Sequence, residues 1–274
     1  MKKTFSYGFT LVELAIVLIV VGLLVGGILA GQDLIKQAQI RNVMSQFREY
    51  DTALNTFRAK YNNQIPGDFS MASVFGVNLS PSTGNPNVYE TWVDADFNGD
   101  NDGTLETNLD GAYDFDYLGE MVNFWIHLSN LNLIKGMLSH DTACVMNCSP
   151  LVGRELPSAA IGVGMVILTD LGHSNRLFYV LGINESIEYI SNGEGDAIGP
   201  AGDNLTPEQA YSFDIKLDDG KPDTGDITVI KRYIAGYFEI DDSLAADDCF
   251  ETAGGDYNLS VTTKVCTIAV KASS

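Results

Sequence analysis

Near its N-terminus the chain reads Gly8-Phe9-Thr10-Leu11-Val12-Glu13-Leu14-Ala15-Ile16-Val17-Leu18-Ile19-Val20-Val21, a glycine followed by an apolar segment with one carboxylate. No charged residue occurs from Leu14 to Gly31. A helix of that length can cross the roughly 30 Å hydrocarbon core of a bilayer. An ionised carboxylate inside a membrane helix is costly, so we expect Glu13 to have a function and a partner.

Two simpler interpretations of this segment are a cleaved secretory signal peptide and a plain membrane anchor in which Glu13 is incidental. Lys2 and Lys3 form a short basic region ahead of the apolar residues, as in a signal peptide. The apolar segment is longer than a signal peptide requires, however, and no small-residue cleavage site with a polar break follows it. The carboxylate argues against both interpretations, because charged residues in membrane helices usually serve a function.

Lys2, Lys3, Gly8 to Glu13 and the apolar segment resemble the class III leader and N-terminus of type IV pilins and type II secretion pseudopilins. The resemblance implies that a prepilin peptidase cleaves between Gly8 and Phe9 and methylates the new amine of Phe9. It also implies that Glu13, the fifth mature residue, is the glutamate used in assembly. One departure is that Ala30 and Gly31 stand where many pilins have a helix proline.

The charge of the chain indicates which partners it avoids. There are 16 Lys and Arg against 36 Asp and Glu, a formal net charge of −20. Removing the two lysines of the leader makes it −22. Such a surface repels nucleic acid in bulk, so we expect no general nucleic-acid-binding face.

The four cysteines form an even set, as expected for disulfides in an exported chain: Cys144, Cys148, Cys249 and Cys266. Three connectivities are possible. The resemblance favours Cys144 with Cys148 and Cys249 with Cys266, because many pilins close a C-terminal loop with a disulfide. A four-thiolate zinc site is the alternative, although the spacings are loose for a zinc ribbon.

Beyond the membrane segment the helix is predicted to continue to about Tyr61, where turn residues and Pro66 end it. Apolar residues recur at steps of three and four: Ile40, Val43, Phe47, Tyr50, Leu54, Phe57 and Tyr61. A coiled coil would show the same pattern. The strand-rich sequence downstream favours a helix packed along a sheet instead.

The chain from Pro66 to Pro157 is polar and too long to be a structureless loop in a compact domain. A helix is predicted from Glu120 to Ile134, with a C-terminal stop at Gly136. Its apolar face comprises Met121, Phe124, Trp125, Leu128 and Leu131. His127 in this helix is interpreted as structural, because no second ligand or nucleophile is placed nearby in the sequence.

An acidic stretch from Asp94 to Gly103 is a candidate calcium loop, with Asp94, Asp96, Asn98, Asp100 and Asp102 as the candidate ligands. Alternating oxygen ligands around a glycine turn suit Ca²⁺, which takes six to eight oxygens. Neither register of the loop pattern ends in the usual glutamate, since Leu105 and Leu109 occupy the twelfth positions. A solvated acidic turn therefore remains the alternative.

The C-terminal part is predicted to form an antiparallel sheet from β-rich runs at 160–168, 177–183, 227–240 and 260–270. Between them Thr206 caps a short helix that begins with Pro207 and stops at 218–220. The following acidic turn at 221–226 is interpreted as a capped turn rather than a cation site. The segments 125–136 and 214–225 also resemble parts of large prepilin-like proteins.

No catalytic motif is evident, because the chain has no nucleophile elbow, zinc-binding helix pair or phosphate loop. The predicted fold is α+β, with a long N-terminal helix packed on an antiparallel sheet, pilin-like, and an enlarged insertion. The predicted divisions are 1–8 leader, 9–31 membrane half of the helix, 32–62 periplasmic half, 63–157 insertion and 158–274 sheet with the C-terminal disulfide region.

The functional hypothesis is a non-enzymatic subunit that polymerises with other pilin-like subunits into a pilus-like or type II secretion filament. We expect it in the inner membrane, with a periplasmic C-terminal domain, before assembly. The alternative is a monomeric, membrane-tethered, calcium-dependent adhesin or binding protein that uses a prepilin leader.

Overall fold

The computed structural model of the chain describes most of the long helix, the core around it and the C-terminal region. The residues described are 10–69, 103–105, 120–139, 151–170, 176–183, 187–191, 196–200, 205–230, 232–234, 237–239, 249–250 and 255–273. Three helices and eight strands lie in this part of the chain: α1 (Leu11–Lys60), α2 (Glu120–Asn130), β1 (Gly164–Asp170), β2 (Arg176–Ile183), β3 (Ile187–Ser191), β4 (Asp196–Pro200), α3 (Pro207–Leu217), β5 (Ile227–Val229), β6 (Arg232–Ile234), β7 (Tyr237–Glu239) and β8 (Ile268–Lys271).

The N-terminal helix α1 is continuous over 50 residues. Its C-terminal half buries one face, formed by Ile40, Val43, Phe47, Tyr50, Ala53, Leu54 and Phe57. This face has the predicted period. The helix ends where Asn62 and Asn63 adopt positive φ angles of 57° and 67°, a left-handed backbone that cannot continue a right-handed helix.

The central sheet is antiparallel, with strand order β1-β2-β8-β5. Helix α1 lies along it rather than in a coiled coil. Phe47 contacts Tyr179 of β2 at a centroid distance of 5.6 Å, and Tyr50 meets Trp125 of α2 edge-on at 4.9 Å. The Tyr179 hydroxyl donates to Asp51 Oδ1 at 3.0 Å. The core thus joins α1, α2 and the sheet, and the coarse α+β prediction is confirmed.

A second antiparallel sheet, with order β3-β4-β6-β7, was not predicted. The single strand expected over 227–240 is wrong, because β5 pairs with β8 whereas β6 pairs with β4. The Ile230 N–H donates to Thr267 O, which keeps the chain at the central sheet just before it leaves for the second one. Hydrophobic alternation along one run does not reveal that its two halves pair with different partners.

Two other predicted strands begin later than expected. The strand predicted from Ala160 begins at Gly164, because Gly162 donates to Ala159 O in a tight turn with φ +83°. The strand predicted from Ser260 begins at Ile268, since the Val261 N–H donates to Asn258 O in a turn. In both places, hydrogen bonds within a local turn replace the inter-strand hydrogen bonds of the predicted strand.

Helix α2 is shorter than predicted and is buried on all sides. It ends at Asn130 instead of Ile134, because Asn132 has φ +54° and the Leu133 N–H donates to Leu128 O. Val122, Asn123 and Ile126 are buried along with the predicted apolar face. The helix contacts both α1 and β1, and only its last residue, Asn130, is exposed.

Helix α3 begins as the sequence predicts. Thr206 Oγ1 accepts from the Gln209 N–H, Gln209 Oε1 accepts from the Thr206 N–H, and Pro207 takes the first helical position. The helix contacts both α1 and β5. Since β1 and β5 are the two edges of the central sheet, α2 and α3 lie at opposite edges.

Candidate functional site

The N-terminal half of α1 is an exposed apolar surface. From Leu11 to Ile35 its large apolar side chains lie on no other element, with exposures between 48% at Val20 and 87% at Leu11. Burial against the domain begins only at Ile40. Within the described residues, α1 is the one helix long and apolar enough to cross a membrane. A membrane anchor and a signal sequence share that length and composition.

Glu13, the only carboxylate between Leu11 and Gly31, lies at the N-terminal end of this half in a capping box. Thr10 is the N-cap residue, and its N–H and hydroxyl donate to Glu13 Oε2 at 2.7 and 2.9 Å. The Glu13 N–H donates back to Thr10 Oγ1 at 3.3 Å. The pair thus satisfies two N–H groups that the first turn of a helix leaves without intrahelical partners.

The capping box uses only one of the two carboxylate oxygens. Among the described residues, Oε1 of Glu13 accepts no hydrogen bond, while Oε2 accepts two. Glu13 can therefore cap its own helix and still offer an oxygen to a cationic donor on another molecule. The sequence analysis missed this role of Thr10, although a threonine three residues before a glutamate is the signature of a capping box.

Several predicted site residues lie outside the described residues. They are Gly8, Phe9, Cys144, Cys148 and the candidate calcium ligands Asp94, Asp96, Asn98, Asp100 and Asp102. Of the candidate calcium loop, the structure describes only the last residue, Gly103. The Gly103 N–H donates to Asp68 Oδ2 at 3.0 Å. The cleavage site and the calcium loop therefore stay predictions.

An acidic cluster lies at the C-terminal end of α3, where carboxylate oxygens of Asp214, Asp218 and Asp219 come within 4.8 Å of one another. Protein donors reach each of them. Asp214 accepts from the Gly220 N–H at 2.8 Å and from the Tyr257 hydroxyl at 2.7 Å. Asp219 accepts from the Lys221 N–H at 2.9 Å and from the Thr224 hydroxyl at 2.7 Å.

The third carboxylate of the cluster closes the turn that follows. Asp218 Oδ2 accepts from the N–H groups of Asp226 and Ile227. A Cβ on Gly225 would lie 1.9 Å from that oxygen, so any other residue there would displace the Asp218 carboxylate from these two N–H groups. Burial raises the pKa of Asp214. The cluster is thus a hydrogen-bonded acidic turn in which internal donors reach five of the six carboxylate oxygens.

The C-terminal loop is closed by a disulfide between Cys249 and Cys266, with a Cα–Cα distance of 5.4 Å. This is the pairing that the resemblance implies for these two cysteines. Both are buried, and Cys266 O accepts from the Leu205 N–H just before α3. A zinc site formed by all four thiolates is therefore wrong, because two of them are bonded to each other.

His127 is structural, as the sequence analysis proposes. Its side chain is 3% exposed, and its Nδ1 accepts from the Gly67 N–H at 3.0 Å. Burial lowers the pKa of His127 to about 4. A Cβ on Gly67 would lie 2.2 Å from Glu120 O, so glycine lets the chain after α1 pass close to α2. The imidazole thus fastens the end of α1 to α2.

No protein-family model matches the chain, and neither the curated proteins nor the solved structures searched contain a match.

Proposed function

We propose that this chain is a pilin-like structural subunit that polymerises through α1 into a type IV pilus-like or type II secretion filament. One observation carries the proposal: the apolar half of α1 projects uncovered from a folded domain, is uncharged from Leu14 to Gly31 and bears the carboxylate of Glu13 at its far end. The leader with Gly8 and Phe9 supports it as a resemblance. The domain itself buries its apolar residues in one core.

The exposed half of α1 must be covered in the cell, because each large apolar side chain is about 1.5–3 kcal/mol more stable when buried than in water. Lipid covers it before assembly, and neighbouring copies of the helix cover it in a filament. Gly22, Gly26, Gly27 and Gly31 have open space where a Cβ would be. Glycines at this spacing let helices approach closely in lipid, where packing rather than hydrophobicity drives association.

The carboxylate of Glu13 sets the register of assembly in this proposal. Cleavage after Gly8 leaves a positively charged amine on Phe9, about one helical turn, or roughly 6 Å, from Glu13 along the axis. A neighbour displaced by that amount presents its amine to Glu13 Oε1, the oxygen that the capping box leaves open. Pairing offsets the cost of an intramembrane charge, which is about 2.5–3.5 kcal/mol at mid-bilayer and less near the interface.

The test compares three substitutions at Glu13 in cells that have a prepilin peptidase and lack the native subunit. Glu13→Gln keeps the capping acceptor, because Gln also occupies this position in capping boxes, but it removes the charge. Glu13→Leu removes both, and Glu13→Asp keeps the charge on a shorter side chain. We expect Gln and Leu to be inserted and processed yet to enter filaments poorly, with Asp milder.

The comparison of Glu13→Gln with Glu13→Leu separates the effect of the Glu13 charge from the effect of helix capping. Filament entry of Glu13→Gln at the wild-type level, with only Leu defective, would show that the cap matters and the charge does not. Wild-type entry of all three variants would remove Glu13 from the mechanism, whereas absence of the wild-type chain from filaments would favour the membrane-tethered binding protein. Cleavage and membrane insertion are followed in parallel by intact mass and membrane fractionation.

A further inference from the structure

The C-terminal half of α1, counted here as residues 32–61, carries net positive charge in an otherwise acidic protein. Between residues 32 and 61 there are five Lys and Arg against three Asp and Glu, a net charge of +2. From residue 62 to 274 there are nine against 32, a net charge of −23. Of these two parts of the chain, the helix is therefore the one with a net positive charge.

Two of these five basic residues lie in a stripe on the side of α1 that faces away from the core. We define the basic stripe as Arg41, Ser45, Arg48 and Thr52, all exposed and spaced by four, three and four residues. The Thr52 hydroxyl donates to Arg48 O at 2.7 Å, so it is engaged within the helix. The two guanidinium groups are thus the main recognition chemistry of the stripe.

Neither arginine of the stripe forms an ion pair within the described residues, because the nearby carboxylates are engaged elsewhere. Glu49 binds Lys135 at 3.0 Å. Asp51 lies three residues from Arg48 but accepts instead from the Tyr179 hydroxyl and the Ser273 N–H. Both carboxylates thus point toward the domain, and the stripe keeps its charge.

Lipid headgroups do not account for Arg48, the farther of the two arginines in the stripe. The exposed apolar run of α1 ends at Ile35, just before Lys36. Arg48 lies 13 residues further on, or about 20 Å along the axis at 1.5 Å per residue. The headgroup layer on each side of a bilayer is only about 5–8 Å thick, so Arg48 lies beyond the reach of anionic lipid.

We infer that the basic stripe binds the acidic surface of residues 62–274 in a second copy of this chain. The inference rests on the proposed function, because α1 must lie among neighbouring copies for its outward face to be covered. Charge complementarity selects the occupant: one copy carries +2 on the helix and −23 on the rest. The contact is heterologous, since different surfaces meet, and such contacts build open filaments.

The stripe also serves a second role in this arrangement. Two domains of charge −23 repel each other, and a basic surface between them lowers that repulsion where it lies. The stripe therefore sets where on the helix a neighbouring domain docks. The apolar half of α1 and Glu13 hold the helices together, and the stripe orients the domains around them.

The first test reverses the two charges in the full-length, processed chain. Arg41→Glu combined with Arg48→Glu is compared with Arg176→Glu combined with Lys264→Glu. The control pair changes the net charge equally at two exposed residues outside α1 that form no ion pair within the described residues. We expect about a tenfold loss of chain from the filament fraction for the stripe variant and less than about twofold for the control.

The second test identifies the occupant directly. A photoreactive benzoylphenylalanine replaces Ser45, between the two arginines, and adducts formed in cells are mapped by mass spectrometry. We expect an adduct with residues 62–274 of a second copy. An adduct with lipid, with another protein or with α1 of the second copy would overturn the inference, as would no adduct at all.

The two proposals fail in distinguishable ways. Filaments that need Glu13 but tolerate the stripe variant as well as its control would overturn only the role of the stripe. If the wild-type chain never enters filaments, both the proposed polymerisation and the proposed contact of the basic stripe are wrong.

Discussion

Acidification should destabilise this protein through His127. The imidazole is buried and accepts the Gly67 N–H at Nδ1, so a proton at that nitrogen would break the hydrogen bond. Burial lowers the pKa of His127 to about 4, whereas an unperturbed histidine has a pKa of about 6.5. Between these pH values the unfolded chain binds a proton at this position that the folded chain does not.

The sign and size of the effect follow from this difference in bound protons. Stability rises with pH wherever the unfolded state binds more protons, so the folded chain loses stability as the pH falls from about 6.5 to about 4. At 1.36 kcal/mol per pKa unit the loss attributable to His127 is about 3 kcal/mol. Above pH 6.5 and below pH 4 this group adds no further pH dependence.

The assay compares wild type with His127→Asn by urea unfolding of the full chain in detergent, from pH 8 to pH 4. The Asn amide oxygen can accept the Gly67 N–H and does not titrate, although the smaller side chain lowers stability at every pH. Carboxylates that titrate in the same range contribute equally to both proteins. We expect the wild type to lose about 3 kcal/mol more than the variant across this window. Parallel stability curves would refute the argument.

Two further predictions concern the acidic turn after α3. Gly225→Ala should destabilise the domain by more than about 2 kcal/mol, because its Cβ would overlap Asp218 Oδ2. The control Gly162→Ala, at a similar positive φ but in open space, should cost only about 1 kcal/mol. Equal effects of the two variants in thermal unfolding would show that backbone strain alone matters. Tyr257→Phe should cost about 1–3 kcal/mol by removing the hydroxyl that donates to buried Asp214, and an unchanged unfolding midpoint in urea would contradict this.

Local signals in the sequence predict α1 and α3 well. The period of three and four from Ile40 to Phe57 reflects one buried face, and tertiary packing preserves it. Thr206 and Pro207 begin α3 because capping involves residues only three positions apart. The acidic turn at 221–226 is predictable for the same reason. These features depend on neighbours in sequence.

The second sheet and the shape of α2 depend on neighbours in space, and the sequence analysis missed them. Strands β3 and β4 pair with each other and then with β6, whose sequence continues directly from β5 in the other sheet. Helix α2 is buried from Glu120 to Ser129, and α1, β1 and the chain at Gly67 lie against it. Its sequence shows one apolar face, and the additional burial comes from elements that a helical period does not record.

The candidate site was found only in part. Glu13 is evident as a charge within an apolar run, while its cap Thr10 is a local pattern that the sequence analysis overlooked. The basic stripe was visible as scattered arginines, but the engagement of Glu49 and Asp51 with the domain appears only in the folded chain. Isolation of Arg41 and Arg48 from carboxylates is a property of tertiary structure.

The most direct test of the central claim is intact-mass analysis of the chain recovered from surface or periplasmic filaments sheared from cells that have a prepilin peptidase. If the chain is a filament subunit, it is present in purified filaments and begins with N-methylated Phe9. A chain found only as a membrane monomer, or one released after cleavage near Ala30 and Gly31, would contradict assembly through α1.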